Sequence, residues 1–188
     1  MRISNTVLVI LVSTTTFSGL SPAQAPAGGA VPAPAKRAAR AMKAEVHATL
    51  AQLMKGILFP NSNVIFAAQN ENPADVKPAA DPATATNPLA STYGNWEAVE
   101  NSGLALVEAA NLLILPGRKC SNGLPVPLQN PDWAKFVQGL REAGMTTYQA
   151  AQAKNQDKIL DAADAMTTAC ANCHDKYREK AKLADRCK

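Results

Sequence analysis

An all-α fold, an antiparallel four-helix bundle, is what this sequence predicts, and three observations point to it. Apolar residues make up 47% of the 188 residues while aromatics reach only 5%, a balance that suits helices packed through Ala, Leu and Met better than sheets. Val, Ile and Thr do not gather into the alternating runs of a half-buried strand. Four stretches instead repeat their apolar residues at steps of three and four. The length suits one domain, and up-down-up-down is the topology expected of four such helices.

The first 27 residues read as a secretory signal. Arg2 supplies the positive start, Val7 to Val12 the apolar stretch, and small residues lead through Ala25 to Ala27. A cut after Ala27 suits the sequence better than one after Ala25, which would leave Pro26 first. The apolar stretch falls short of the roughly 20 residues that cross a bilayer. Export to the periplasm, with no membrane span in the mature chain, is the expectation. Residues 28–39 alternate Pro, Ala and Gly as a flexible lead-in, and 40–188 hold the bundle.

The first helix is predicted from about residue 40 to 58, with Met42, Val46, Leu50, Leu53, Met54 and Ile57 on one side. Pro60 is expected to end it, and Asn61-Ser62-Asn63 to turn the chain before a short helical tail at 64–69. A surface loop rich in proline follows at about 71–89. The second helix, 89–115, carries Trp96, Val99, Leu106, Val107, Ala110 and Leu113 inward and stops at Pro116-Gly117. After a loop holding Cys120, Asn130 reads as the N-cap of a third helix to about 154, with Pro131 first and Asp132 complementing the helix dipole. Its inner residues are Trp133, Phe136, Val137, Leu140 and Tyr148. The fourth helix is predicted from Asn155 and Asp157 to about 184. Leu160, Ala163, Met166, Thr167, Cys170, Cys173, His174 and Tyr177 form its inner face.

The chemistry lies in that last face. Cys170-Ala171-Asn172-Cys173-His174 is a C-x-x-C-H run, the pattern of covalent haem attachment. Two thiols three residues apart on a helix share a face and can add to the two vinyl groups of one haem. His174, one turn beyond Cys170, then comes beneath the iron as proximal ligand. A thioredoxin-like pair would need a strand before its helix, and a structural zinc site would need two more ligands, for which His47 and the outer cysteines are too scattered.

The chain here resembles the class II c-type cytochromes, the family of cytochrome c prime and the low-spin cytochromes c-556. The stretch from Cys170 to Arg178 is similar to the family's C-x-x-C-H-x-x-Y/F-R near the C-terminus. Leu53-Met54-Lys55 is similar to the L-M-K that lies over the haem in many members. The resemblance covers residues 40–185; the signal, the Pro-rich loop and the Cys120 loop depart from it. It implies a four-helix bundle holding haem c and its iron, and an arginine, here Arg178, near the haem propionates. It implies two functions in turn. Low-spin members place a Met from the first helix on the iron, here Met54, and pass electrons between Fe(II) and Fe(III) in exchange with redox partner proteins. High-spin members leave that position open and bind NO or CO. A homodimer is a common assembly of the family.

Met54 is the expected distal ligand; His47 lies on the same predicted face, nearly two turns earlier. Cys120 and Cys187 fall at the same end of an up-down-up-down bundle, so a disulfide between them is geometrically sensible in an exported chain. Other function classes find little support. A net charge of +4 is small and evenly spread, which gives no nucleic-acid footprint. No Ser/His/acid set, phosphate loop or carboxylate pair stands out, and two histidines leave little for acid–base catalysis. The chain is not expected to be an enzyme.

Overall fold

The computed structural model describes residues 44–180 and 182–187. The expected signal and lead-in, with Met42, lie outside them. Among the described residues the protein is all-helical, without a strand, and four helices pack against one another.

The first is built from α1 (Leu50–Leu53), a π-helical turn (Met54–Leu58) and α2 (Phe59–Asn70), which run on without a break. It begins ten residues later than the periodicity suggested. Thr49 explains the start: its hydroxyl accepts from the Gln52 N–H, and the Gln52 side chain accepts from the Thr49 N–H, a capping box. His47 is therefore not on this helix; its side chain is 84% exposed and faces Glu45 at 3.7 Å. Pro60 does not end the helix either. A proline inside an α-helix lacks an N–H and collides with the carbonyl four residues back. Here the π turn widens the ladder just before it: the Phe59 N–H donates five residues back to Met54. Asn61 Nδ2 then donates to the Ile57 carbonyl at 2.7 Å, and the Ser62 hydroxyl to that of Phe59 at 3.0 Å. The expected turn at 61–63 is thus helical, and the apolar face continues through Val64, Ile65 and Ala68.

The Pro-rich connection contains three single 3-10 turns, Pro73–Asp75, Pro82–Thr84 and Pro88–Ala90. It is tied down by Asn95, whose Nδ2 donates to the carbonyls of Pro73 at 2.5 Å and Val76 at 2.8 Å. α3 (Asn95–Leu112) starts there, six residues later than expected. At its other end Arg118 is only 5% exposed. Its Nε donates to the Leu112 carbonyl at 3.0 Å and its Nη1 to that of Ala48 at 2.6 Å. One buried guanidinium thus satisfies a terminal carbonyl of α3 and fixes the approach to α1.

α4 (Pro131–Gln152) and α5 (Gln156–Cys173) complete the four, and a second π turn (His174–Arg178) extends α5. Asn130 occupies the N-cap of α4, but its side chain makes no cap bond; it turns to Tyr177 instead. On α5 the buried face is rotated from the expected one: Ile159 is fully buried, while Leu160 is 42% exposed and Thr167 is also exposed. Gln156, in the first turn of α5, donates to the Ala68 carbonyl near the end of α2 at 2.8 Å.

The core falls into two clusters. One gathers Val64, Ala68, Leu89, Trp96, Val99, Ala151 and Ile159. The other gathers Leu50, Leu53, Leu106, Leu113, Trp133, Val137, Met166 and Tyr177, with Met54, Cys170 and Cys173 packed on it. Cys120 and Cys187 belong to the second cluster and are joined as a disulfide, with Cα atoms 4.9 Å apart.

α3 and α4 cross at Gly103 and Gly144. A Cβ on Gly103 would stand 2.9 Å from the Gly144 carbonyl oxygen and 3.0 Å from the Tyr148 nitrogen; one on Gly144 would stand 2.9 Å from the Gly103 oxygen. Backbone cannot yield as a side chain can. Gly103→Ala is therefore expected to lower the unfolding free energy by about 1–3 kcal/mol. Gly139→Ala, on α4 with nothing within 4 Å of its Cβ, is expected to raise it by about 0.5–1 kcal/mol. Urea unfolding of the two variants side by side checks the pair.

Candidate functional site

Both π turns border one cavity of about 320 Å³ in the second core cluster. π turns are rare and gather at functional sites. Here each opens on a residue the sequence had singled out, Met54 in the first and His174 in the second. Met54, Cys170, Cys173, His174 and Arg178 all line this cavity, together with Leu50, Leu58, Leu106, Trp133 and Phe136. The predicted site residues come from opposite ends of the chain, and the fold brings them to one wall set. His47 is not among the lining residues.

α5 presents the attachment residues. Cys170 and Cys173 are free, half-buried thiols on the flank that faces the cavity. Burial raises the Cys170 thiol above its ordinary value, with Arg178 acting in the opposite sense. Burial, then Cys170 and Asp132, push Cys173 up to about 11. Both thiols are protonated at neutral pH. A disulfide-exchange pair needs the reverse, a depressed thiol beside a positive group or a helix N-terminus; these two sit at a helix C-terminus. His174 is half-buried, and its imidazole is held below the ordinary value by burial and then by Arg178. It is neutral near pH 7, with a lone pair free for a metal.

The rest of the lining is largely apolar, and Met54 adds a soft thioether donor to it. At the mouth, Lys55 and Phe59 are exposed, and Arg178 lies 2.5 Å from Glu179 in an exposed ion pair. Cys187 also lines the cavity, so the disulfide anchors the C-terminal segment as part of the wall. That segment is held further by Asn122, whose Nδ2 donates to the carbonyls of Ala184 and Arg186, each at 2.8 Å.

Asp132 is the residue at this site whose role the sequence reading missed. It was read as a complement to the dipole of α4, yet its carboxylate accepts from the Tyr177 hydroxyl and lies 3.3 Å from Lys176 Nζ. Those hydrogen bonds and the lysine hold its carboxyl below the usual range. Asp132 and Tyr177 are 45 residues apart, so no local pattern announces the pair.

Haem can be tested against this donor set. Two protonated thiols on one helix flank and a neutral imidazole one residue on are groups that would hold a covalent haem, and a thioether lining the same apolar cavity could serve as a further ligand. The cavity volume lies in the range of cofactor pockets. Among the described residues, no cluster of three or more His, Cys, Asp or Glu converges as a metal site, so a zinc-type set of four converging ligands finds no counterpart in them. The residues fit haem. Comparison with family models, with characterised proteins and with solved structures gave no match.

Proposed function

We propose that the chain is an exported monohaem c-type cytochrome that carries electrons, with haem c bound through Cys170 and Cys173, His174 as proximal ligand and Met54 as distal ligand. One observation carries the reading: these four residues, from helices at opposite ends of the chain, line a single apolar cavity. Bound there, haem supplies one-electron chemistry between Fe(II) and Fe(III). The chain's own residues do the rest. The cysteines fix the group to α5, and neutral His174 offers a lone pair from one side. The leucine and aromatic walls exclude water, which keeps reorganisation on electron transfer small. Lys55, Phe59 and Arg178 border the mouth, where a redox partner would approach, and Arg178 is within reach of propionates there. The helix order is read as up-down-up-down, supported by the contact of α2's last turns with the start of α5. The Cys120–Cys187 disulfide supports an oxidising compartment such as the periplasm. No helix among the described residues is long and apolar enough to cross a membrane.

A second reading, a gas-binding protein, draws on the same cavity. Leu50, Leu58 and Leu106 line the cavity with Met54, and with the thioether turned aside they would leave a dry pocket for NO or CO. The visible spectrum separates the two. The matured ferric protein is expected to be low-spin, with a weak charge-transfer band from sulfur to iron, and Met54→Ala to lose that band and become high-spin. A wild-type protein that is already high-spin, and unchanged by the substitution, would move the assignment to gas binding. No haem after expression with a working maturation system would sink both.

A further inference from the structure

Three polar contacts join the start of α4 to the π turn that carries His174. The Tyr177 hydroxyl donates to Asp132 Oδ1. Asn130 Nδ2 donates to the same hydroxyl at 3.3 Å, and Lys176 Nζ lies 3.3 Å from Asp132 Oδ2. The Tyr177 ring is 7% exposed and stands edge-on to Trp133, with centroids 5.1 Å apart, and to Phe136 at 6.3 Å. Tyr177 therefore has one seat, closed by aromatic rings on its flanks and by a carboxylate at its tip.

His174 and Tyr177 belong to the same five-residue turn, closed by a bond from the Glu179 N–H to the His174 carbonyl at 2.9 Å. A wide turn at a helix end lacks the regular ladder on both sides, so contacts from outside the helix decide whether it persists. Asp132 and Asn130 are those contacts, both from the start of α4. Asp132 also brings a charge to this turn: its Oδ2 lies 3.3 Å from the Nζ of Lys176, two residues after His174.

We propose that Asp132 is a positioning residue for His174: through Tyr177 it locks the π turn against α4, and its carboxylate sets the charge beside that turn. The charge role rests on the haem reading; the positional role does not. A carboxylate near an iron that gains positive charge on oxidation favours the oxidised form, so removing it raises the midpoint potential.

Two substitutions separate the roles. Asp132→Asn keeps an acceptor for the Tyr177 hydroxyl but removes the charge. Tyr177→Phe keeps the ring and the charge but removes the bond. The full-length chain is measured by amide exchange at Glu179, with and without haem maturation, and the matured chain by its midpoint potential. Tyr177→Phe is expected to speed Glu179 exchange by about tenfold, the order of one hydrogen bond, and to leave the potential near wild type. Asp132→Asn is expected to shift the potential upward with exchange near wild type. Unchanged exchange in Tyr177→Phe overturns the positional role, and an unmoved potential in Asp132→Asn overturns the charge role. If the wild-type spectrum shows no haem, the proposed function and the charge role fail together, while exchange still decides the positional role.

Discussion

Replacing Cys170 and Cys173 together by Ala is expected to abolish covalent haem: the variant loses its haem to acid solvent and leaves no haem stain on a denaturing gel, whereas the wild type keeps both. Thioether bonds to these two sulfurs are the one link in the proposed site that survives unfolding. Met54, on another helix, would hold iron only while the fold holds it, and acid protonates the His174 imidazole and frees it from the metal. A single substitution leaves one thioether and is expected to retain the stain. Thiol counting gives a second readout. The chain has four cysteines, of which Cys120 and Cys187 are paired. The denatured matured wild type is therefore expected to show no reactive thiol before reduction and two after it. Without haem the counts become two and four. A double Ala variant that still stains would overturn the attachment at these positions.

Much of the site could be read from the sequence because its central part is local. The C-x-x-C-H run needs only a helix to put two thiols and an imidazole on one flank, and α5 supplies it. The outlines of α3, α4 and α5 followed from apolar periodicity in the same way, each shortened in the structure. Where the reading failed, a non-local or competing interaction decided. Pro60 stops an α-helix by clash and a missing donor, but a π turn removes the clash, and Asn61 and Ser62 meet carbonyls by side chain. The apolar residues Val64, Ile65 and Ala68, which continue the pattern beyond Pro60, were the available signal.

The helix start was legible too. Thr49-x-x-Gln52 is a capping box, and it outweighs the good helix formers at 44–48. Arg118 and Asp132 were not legible by any local rule. Their partners, the carbonyls of Leu112 and Ala48 for one and Tyr177 for the other, converge only after the helices pack. Leu160 was placed inward in error because Ile159 and Leu160 are equally apolar. A periodic pattern alone cannot choose between adjacent positions at the edge of a face.

Breaking the Cys120–Cys187 bond is the largest stability change expected of any single alteration to the outer fold. The disulfide closes 67 residues of chain, carrying α4, α5 and the second π turn. Restricting a loop of that size in the unfolded chain contributes about 4 kcal/mol in the chain-entropy account. For a domain of this size, that corresponds to a fall in Tm on the order of 10 °C. Cys120→Ser with Cys187→Ser is expected to show the fall, and a reductant should lower the wild type to match while leaving the variant unchanged. That last comparison matters because both sulfurs are buried in the core, where a hydroxyl would cost stability by itself. A reductant acts on the cross-link alone. The effect should also reach the cavity, since Cys187 is part of its wall and its N–H donates to the Tyr177 carbonyl at 3.0 Å. With the bond cut, the segment after Arg178 is left to hydrogen bonds such as those from Asn122 and the one to the Tyr177 carbonyl. Amide exchange at Cys187 should then quicken well ahead of global unfolding. If reduction leaves both Tm and Cys187 exchange unmoved, the tail is held by its hydrogen bonds and packing, and the disulfide is not what closes this side of the cavity.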